Sequence, residues 1–354
     1  MSRTDLPGPA PALVDVTEAA RWLTGRVLRT PVLHSPVIDR LVGARTLLKA
    51  ENLQLGGSYK MRGGLFAVSR LAAAGHAGVI AQSTGNHAVA VALAAQCHDL
   101  SATVVLPVDA ALTKIARARA AGARVVLVGT SVDERLAVAR RISDETGYPI
   151  LDAYDHPDVI AGQGSASLEL IEQAERAGTP LDALVLPVGG GGGAAGACLA
   201  AADRPIGVYG VEPVGCDSLG RSLAAGRPTS VSPAPTIADG LRPSCVGELP
   251  FAILRTRLSG VIRVDDDEIA EAFRLLLMEL KLLAEPSGAA GLAGALRLAE
   301  GGIPRSAEDG APPVLGAVAR RQRTVGVVLT GGNVEAELVA RLAAPVRGRE
   351  EVAV

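Results

Sequence analysis

Short runs that are apolar almost throughout alternate with longer helical patterns from one end of this chain to the other. Residues 79–82, 102–106, 125–128, 184–187, 207–211 and 324–329 read as strands, and their near-continuous apolar character is what burial on both faces requires. Residues 86–97, 112–121, 132–146, 159–177 and 266–283 read as helices between them. Strand–helix–strand alternation implies parallel sheets covered by helices on both sides. A length of 354 residues leaves room for more than one such sheet, at roughly 100–200 residues per domain. The expected class is α/β.

Glycine clusters interrupt this pattern at 56–57, 63–64, 85, 189–193 and 331–332, and four of the five follow an expected strand and precede an expected helix. Those are the positions where open α/β sheets bind ligands. Gly189, Gly190, Gly191, Gly192 and Gly193 lead into a helix of small residues. Five consecutive glycines let backbone amides converge on one point at a helix amino terminus, where the dipole favours anions. Phosphate is the natural occupant, although no Lys-Ser/Thr follows to make a P-loop. A flexible linker is the plain alternative. Gly191, Gly193 and Gly196 also satisfy Gly-x-Gly-x-x-Gly, with Glu212 placed 21 residues after Gly191. That pattern defines a runner-up, a nicotinamide-dependent dehydrogenase.

Composition removes other classes. Eight aromatics and a formal net charge of −2 offer neither stacking surfaces nor a positive field for nucleic acid. The purest small-apolar run, residues 88–95, is far short of the ~20 residues that span a bilayer. Residues 1–13 lack an apolar signal core, so a cytoplasmic protein without membrane partners is expected. Cys97, Cys198, Cys216 and Cys245 are scattered, and no histidine pair has metal-ligand spacing. Residues 300–323, with their prolines and the Arg320, Arg321 and Arg323 cluster, read as an exposed, solvated loop.

Of 35 lysines and arginines only four are lysines: Lys49, Lys60, Lys114 and Lys281. Only lysine can lose its proton and form an imine, so amine chemistry has four candidates. Lys49 reads as a strand residue near a carboxylate, Lys114 as solvent-facing, and Lys281 as a cation complementing a helix carboxyl end. Lys60 falls in the first turn of a helix that Ser58 can cap. The dipole and neighbouring Arg62 both disfavour its ammonium form. A structural lysine is the alternative there, but Lys60 is the favoured nucleophile. An amine beside a phosphate cradle suggests pyridoxal phosphate.

The sequence resembles the serine/threonine dehydratase and serine racemase family of fold-type II pyridoxal-phosphate enzymes. The resemblance runs from about Leu28 to Asn333. It rests on Ser58-Tyr59-Lys60-Met61-Arg62-Gly63, Ser83-Thr84-Gly85-Asn86-His87-Ala88, Val159-Ile160-Ala161-Gly162-Gln163-Gly164, Pro187-Val188 with the glycines after it, Thr236-Ile237-Ala238-Asp239-Gly240, Glu285-Pro286-Ser287-Gly288-Ala289 and Thr330-Gly331-Gly332-Asn333. It implies that Lys60 forms the imine with the cofactor and takes the substrate α-proton. Gly189, Gly190, Gly191 and Gly192 would hold the phosphate, and Asn86 the ring oxygen. Ser83, Thr84, Gly85, Asn86 and His87 would grip the substrate carboxylate, with His87 acting mostly through its backbone. Thr330 would offer the pyridine nitrogen a hydroxyl, and Tyr59 adds a polar tip beside the cofactor. A hydroxyl partner makes the ring a weak electron sink, which suits β-elimination of an amino acid such as L-threonine or L-serine to a 2-oxo acid and ammonia.

The sequence also departs from the family. Thr84 stands where dehydratases carry alanine and racemases the serine that acts on the second face, so racemisation is the alternative on the same scaffold. Tyr59 replaces phenylalanine, Tyr154 replaces phenylalanine or asparagine, and Gly193 replaces a larger residue, opening that wall. The family's Mg²⁺ or Ca²⁺ site would begin at Glu212 and continue near Cys216 and Ser218, where aspartate is usual, with Asp217 one position off. The resemblance further implies a homodimer, a large domain of residues 1–74 and 154–354, and a small mobile domain of residues 75–153. The chain ends about twenty residues after Asn333, so no regulatory region and no response to isoleucine are expected.

Overall fold

The computed structural model describes residues 10–344 except 84, 109, 111, 130–131 and 302–322. Nine strands form two sheets: β1 (Val32–Leu33), β2 (Arg45–Lys49), β3 (Gly78–Ala81), β4 (Ser101–Leu106), β5 (Arg124–Leu127), β6 (Ala183–Pro187), β7 (Gly207–Pro213), β8 (Gly260–Val264) and β9 (Thr324–Val328). The larger sheet runs β1-β2-β9-β6-β7-β8 and the smaller β3-β4-β5. Every pairing is parallel except that of β1 with β2.

The apolar runs are explained by the two faces of the larger sheet. Leu48, Val185, Val211 and Val327 enter one core, whereas Leu47, Leu184, Leu186 and Val328 enter the core on the opposite face. Successive side chains of a strand point to opposite faces, so a strand covered twice needs apolar residues at both parities. Residues 86–97 and 132–146 are helical over those spans, and the other expected helices shift by a few residues at their ends. The expected loop at 300–323 is corrected at its start. Glu300 and Gly301 close a helix, Pro286–Gly301, while 302–322 lie outside the described residues together with Arg320 and Arg321. Its glycines weaken the sequence signal but serve its packing. A Cβ on Gly291 would lie 3.2 Å from Pro187, and one on Gly294 would overlap the Val211 side chain.

Three helices are joined backbone to backbone. The helix Pro157–Arg176 lies between Lys60–Ala73 and Gly192–Ala200. A Cβ on Gly162 would meet the Arg62 carbonyl oxygen at 2.7 Å, and one on Gly164 would meet the Gly196 carbonyl oxygen at 2.8 Å. Real Cβ atoms do not approach backbone so closely, and backbone cannot rotate aside as a side chain can. This fixes the amino end of the Lys60 helix and the middle of the glycine-run helix against a common support. Gly164→Ala is therefore expected to destabilise the protein by roughly 1–3 kcal/mol, read by denaturant unfolding. An unchanged midpoint would contradict this packing.

Candidate active site

Lys60 opens its helix, and the local backbone explains why it stays in place. Ser58 pairs with Gly331 in an isolated bridge, and the Tyr59 amide donates to the Thr330 carbonyl at 3.0 Å. The segment before Lys60 is thus sewn to the end of β9. The expectation that Ser58 caps the helix is corrected: Tyr59 is the cap residue and makes no side-chain capping bond, while the Ser58 carbonyl accepts from Met61 at 3.2 Å.

Lys60 Nζ donates to the Ala153 carbonyl at 2.8 Å, which also accepts from Gln163 Nε2 at 3.1 Å. Burial pulls the Lys60 pKa from 10.5 down to about 8, opposed by the charge of Asp152. The expected contribution of Arg62 is corrected. Its guanidinium turns away and forms a two-pronged pair with Glu51 at 2.8 and 2.7 Å, reaching Glu169 at 3.2 Å. Its charge is cancelled locally, so desolvation and not repulsion frees the amine.

Lys49 shows what a buried structural lysine looks like. It ends β2 and is fully buried, as expected of a strand residue near a carboxylate, but its main carboxylate partner is Glu169 from the helix Pro157–Arg176. Its ammonium also donates to the Thr30 carbonyl at 2.8 Å and to Gln173 Oε1 at 2.7 Å. With Arg62, Glu51 and Glu169 it completes a buried set of two cations and two anions. All three of its protons are committed, whereas Lys60 has one acceptor among the described residues. Lys281 follows a helix end and donates to the Met278 carbonyl, in keeping with its expected role. The Lys114 side chain lies outside the described residues.

The glycine run follows β6. Gly191, at φ +91°, caps the helix Gly192–Ala200 without a side-chain bond, a left-handed conformation that a larger residue would adopt only with strain. The cradle is closed to side chains on every side. A Cβ on Gly189 would lie 3.1 Å from the Gly240 carbonyl oxygen, one on Gly190 would overlap the Tyr154 ring, and one on Gly192 would lie 2.9 Å from the Tyr154 backbone. A Cβ on Gly193 would lie 2.6 Å from Tyr59 Oη. Gly193 therefore does not open the wall: the Tyr59 hydroxyl fills the place of the expected side chain.

Ser83, Gly85, Asn86 and His87 lie at the start of the helix Asn86–Cys97, while Thr84 lies outside the described residues. Gly85 is the cap residue and its carbonyl accepts from the Ala88 amide at 3.1 Å, which leaves the amides of Asn86 and His87 without an acceptor among the described residues. The Asn86 side chain is held at both ends, donating from Nδ2 to Glu285 Oε1 at 2.7 Å and accepting at Oδ1 from Asn333 Nδ2 at 2.8 Å. His87 acts through more than its backbone. Its buried imidazole donates from Nε2 to the Leu151 carbonyl at 3.0 Å, and burial pushes its pKa down to about 4. It is neutral at working pH and anchors the loop to the segment that carries Ala153. Thr330 is buried beside Tyr59 at the end of β9.

Glu285, Asn333 and Gln163 stand in the family-like motifs, but their contacts were not readable from sequence. Partners 199 and 247 positions apart meet only in the fold.

Glu212 is fully buried, and its carboxylate accepts from the amides of Leu219 at 2.7 Å and Gly220 at 2.9 Å. Asp217 is paired with Arg221 and Arg263. No group of three or more His, Cys, Asp or Glu side chains among the described residues could hold a metal ion. Amides at a helix start and two guanidinium groups are the partners of these acids among the described residues, and burial still pushes the Glu212 carboxyl up to about 7.

The site thus sets an amine whose pKa is lowered to about 8 and a glycine run at a helix start on one supporting helix of a parallel α/β enzyme fold. Residues 23–307 match the family described as pyridoxal-phosphate dependent enzyme, and the chain belongs to it. Over 331 residues it is 38% identical to L-threo-3-hydroxyaspartate ammonia-lyase of Pseudomonas sp, covering 93% of this chain and 97% of that one. It is 33% identical to serine racemase of Schizosaccharomyces pombe, with coverage of 93% and 96%. The crystal structure of a threonine deaminase from T.th. superimposes with a TM-score of 0.82 at 42% identity, covering 92% of this chain and 99% of the other. The family match decides against the nicotinamide reading of the glycine pattern. Among the described residues no helix is long and apolar enough to cross a membrane.

The lowered pKa of Lys60 sets a pH dependence. With a pKa of about 8 the amine is neutral in roughly one molecule in ten at pH 7, and in most above pH 8. The rate at which cofactor-free protein forms a Schiff base with a small aldehyde should rise about tenfold per pH unit below that point and level off above it. A rate still climbing towards the ordinary lysine pKa would contradict the burial of Lys60.

Proposed function

We propose that this enzyme eliminates water from a small β-hydroxy amino acid such as L-threonine or L-serine, yielding a 2-oxo acid and ammonia. The observation that carries the reading is the contrast between the buried Lys49 and the half-buried Lys60: Lys49 is saturated by three acceptors, while Lys60 has one among the described residues and a pKa of about 8. Both the cofactor and the reaction need an amine that can be neutral.

Pyridoxal phosphate supplies an electron sink for charge developing at the substrate α-carbon. The chain's residues do the rest. Gly189 to Gly192 would hold the phosphate through their amides, and Asn86, oriented by Glu285 and Asn333, would hold the ring oxygen. Ser83, Gly85, Asn86 and His87 hold the substrate carboxylate on the open end of a helix. Lys60 Nζ takes the α-proton, and its ammonium is received by the Ala153 carbonyl, which Gln163 and His87 keep in position. Thr330 would offer the ring nitrogen a hydroxyl and not a carboxylate, an arrangement that would favour prompt departure of the β-hydroxyl. Residues 75–153 would act as a small domain that closes over the substrate and excludes water. A cytoplasmic homodimer completes the proposal. Exposed Leu53 and Leu283, on segments joined by the hydrogen bond from Asn52 to the Leu283 carbonyl, support an apolar contact between copies.

Relatives named for hydroxyaspartate and threonine elimination and for serine racemisation define the test. Purified enzyme should release 2-oxo acid from a panel of L-threonine, L-serine and 3-hydroxyaspartate faster than it forms any D-amino acid. Racemisation without 2-oxo acid would overturn the reading and point to Thr84 on the second face. Lys60→Arg keeps the charge but not the neutralisable amine, and should abolish turnover while leaving the unfolding curve near that of the wild type.

A further inference from the structure

Two of the chain's four tyrosines lie against the glycine run, and they meet it differently. Tyr154 presents ring carbons to Gly190, which is packing. Tyr59 presents its hydroxyl to Gly193: an added Cβ would meet Oη at 2.6 Å, ahead of the ring carbons at 2.9 and 3.1 Å. Gly193 is the second residue of the helix Gly192–Ala200, so this hydroxyl stands beside the amides that open the helix. Tyr59 also stands next to the amine, with Lys60 Nζ 5.4 Å from the centre of its ring. It therefore bridges the two ends of the site.

Among the described residues the phenol oxygen has no hydrogen-bond partner, although the Tyr59 backbone amide is bonded to Thr330. Burial and the charge of Glu285 raise its pKa above the ordinary tyrosine range. At working pH it carries a proton to donate, where a phenolate would repel an anion. Phenylalanine would fill the same volume without the donor.

We propose that Tyr59 and Gly193 are a matched pair: the missing side chain at 193 admits the Tyr59 hydroxyl to the helix end, where it donates a hydrogen bond to the cofactor phosphate. This rests on the reading of the glycine run as the phosphate seat. It adds a side-chain donor to a cradle otherwise made of backbone amides, and it explains why tyrosine at 59 and glycine at 193 occur together. A larger residue at 193 would displace the hydroxyl, and phenylalanine at 59 would leave nothing for glycine to admit.

The test is to titrate cofactor-free wild type, Tyr59→Phe, Gly193→Ala and the double variant with pyridoxal phosphate and with pyridoxal, which lacks the phosphate. The readouts are the visible absorbance of the Lys60 Schiff base and the ³¹P resonance of the bound phosphate. Tyr59→Phe is expected to weaken pyridoxal phosphate about tenfold, the scale of one hydrogen bond to a charged group, to move the ³¹P resonance, and to leave pyridoxal unchanged. Gly193→Ala should weaken the phosphate form at least as much. The loss in the double variant should fall short of the sum, because the alanine no longer faces a hydroxyl. Equal effects of Tyr59→Phe on both aldehydes, no effect on either, or additive losses would overturn the pair while leaving the cofactor site intact. Wild-type protein that forms no Schiff base at Lys60 would overturn the site itself, and the pair with it.

Discussion

The approach of three helices through glycine is the constraint on which the rest of the site depends. Gly162 lies on the backbone at Arg62 and Gly63, and Gly164 lies on the backbone at Gly196. Helices with larger side chains at these contacts would stand further apart, and the amine and the anion cradle would separate with them. Because both working helices lean on Pro157–Arg176, Lys60 and the glycine run take their positions from one element. The parallel sheet contributes direction: β6 and β9 deliver the glycine run and Thr330 from the same carboxyl edge.

Charge is managed in the same region by a division of labour. Arg62 and Lys49 are matched by Glu51 and Glu169 in a buried set that is formally neutral. Removing one member would leave an uncompensated buried charge, so the set specifies the packing of Lys60–Ala73 against Pro157–Arg176 more than it adds stability. It also keeps the positive charge of Arg62 occupied. Lys60, two residues away, has a carbonyl as its one acceptor among the described residues, and its pKa is set by desolvation, opposed by Asp152, without a contribution from Arg62. In the Glu212 region, helix amides are the partners of Glu212 and two arginines those of Asp217.

Much of this was legible in the sequence because its causes are local. Apolar runs marked doubly buried strands, the long glycine run marked a helix start near a sheet edge, and the scarcity of lysine isolated Lys60. The errors have long-range causes. The helix Pro286–Gly301 was hidden because its glycines, poor helix formers in isolation, are needed to approach β6 and β7. The wrong source for the Lys60 shift came from treating Arg62 as a neighbour in sequence, when its partners lie 11 and 107 positions away. Gly193 read as an opening because nothing in the chain order places the Tyr59 hydroxyl against it. The link from Asn86 to Glu285 and Asn333 likewise exists only once the chain has closed on itself.

The central claim is that one lysine of four, freed by burial, carries the cofactor. Borohydride reduction of the protein loaded with pyridoxal phosphate, followed by peptide mapping, tests it most directly. The account requires a pyridoxyl group on Lys60 and on no other lysine. A pyridoxyl group on Lys49, Lys114 or Lys281, or on none, would contradict it.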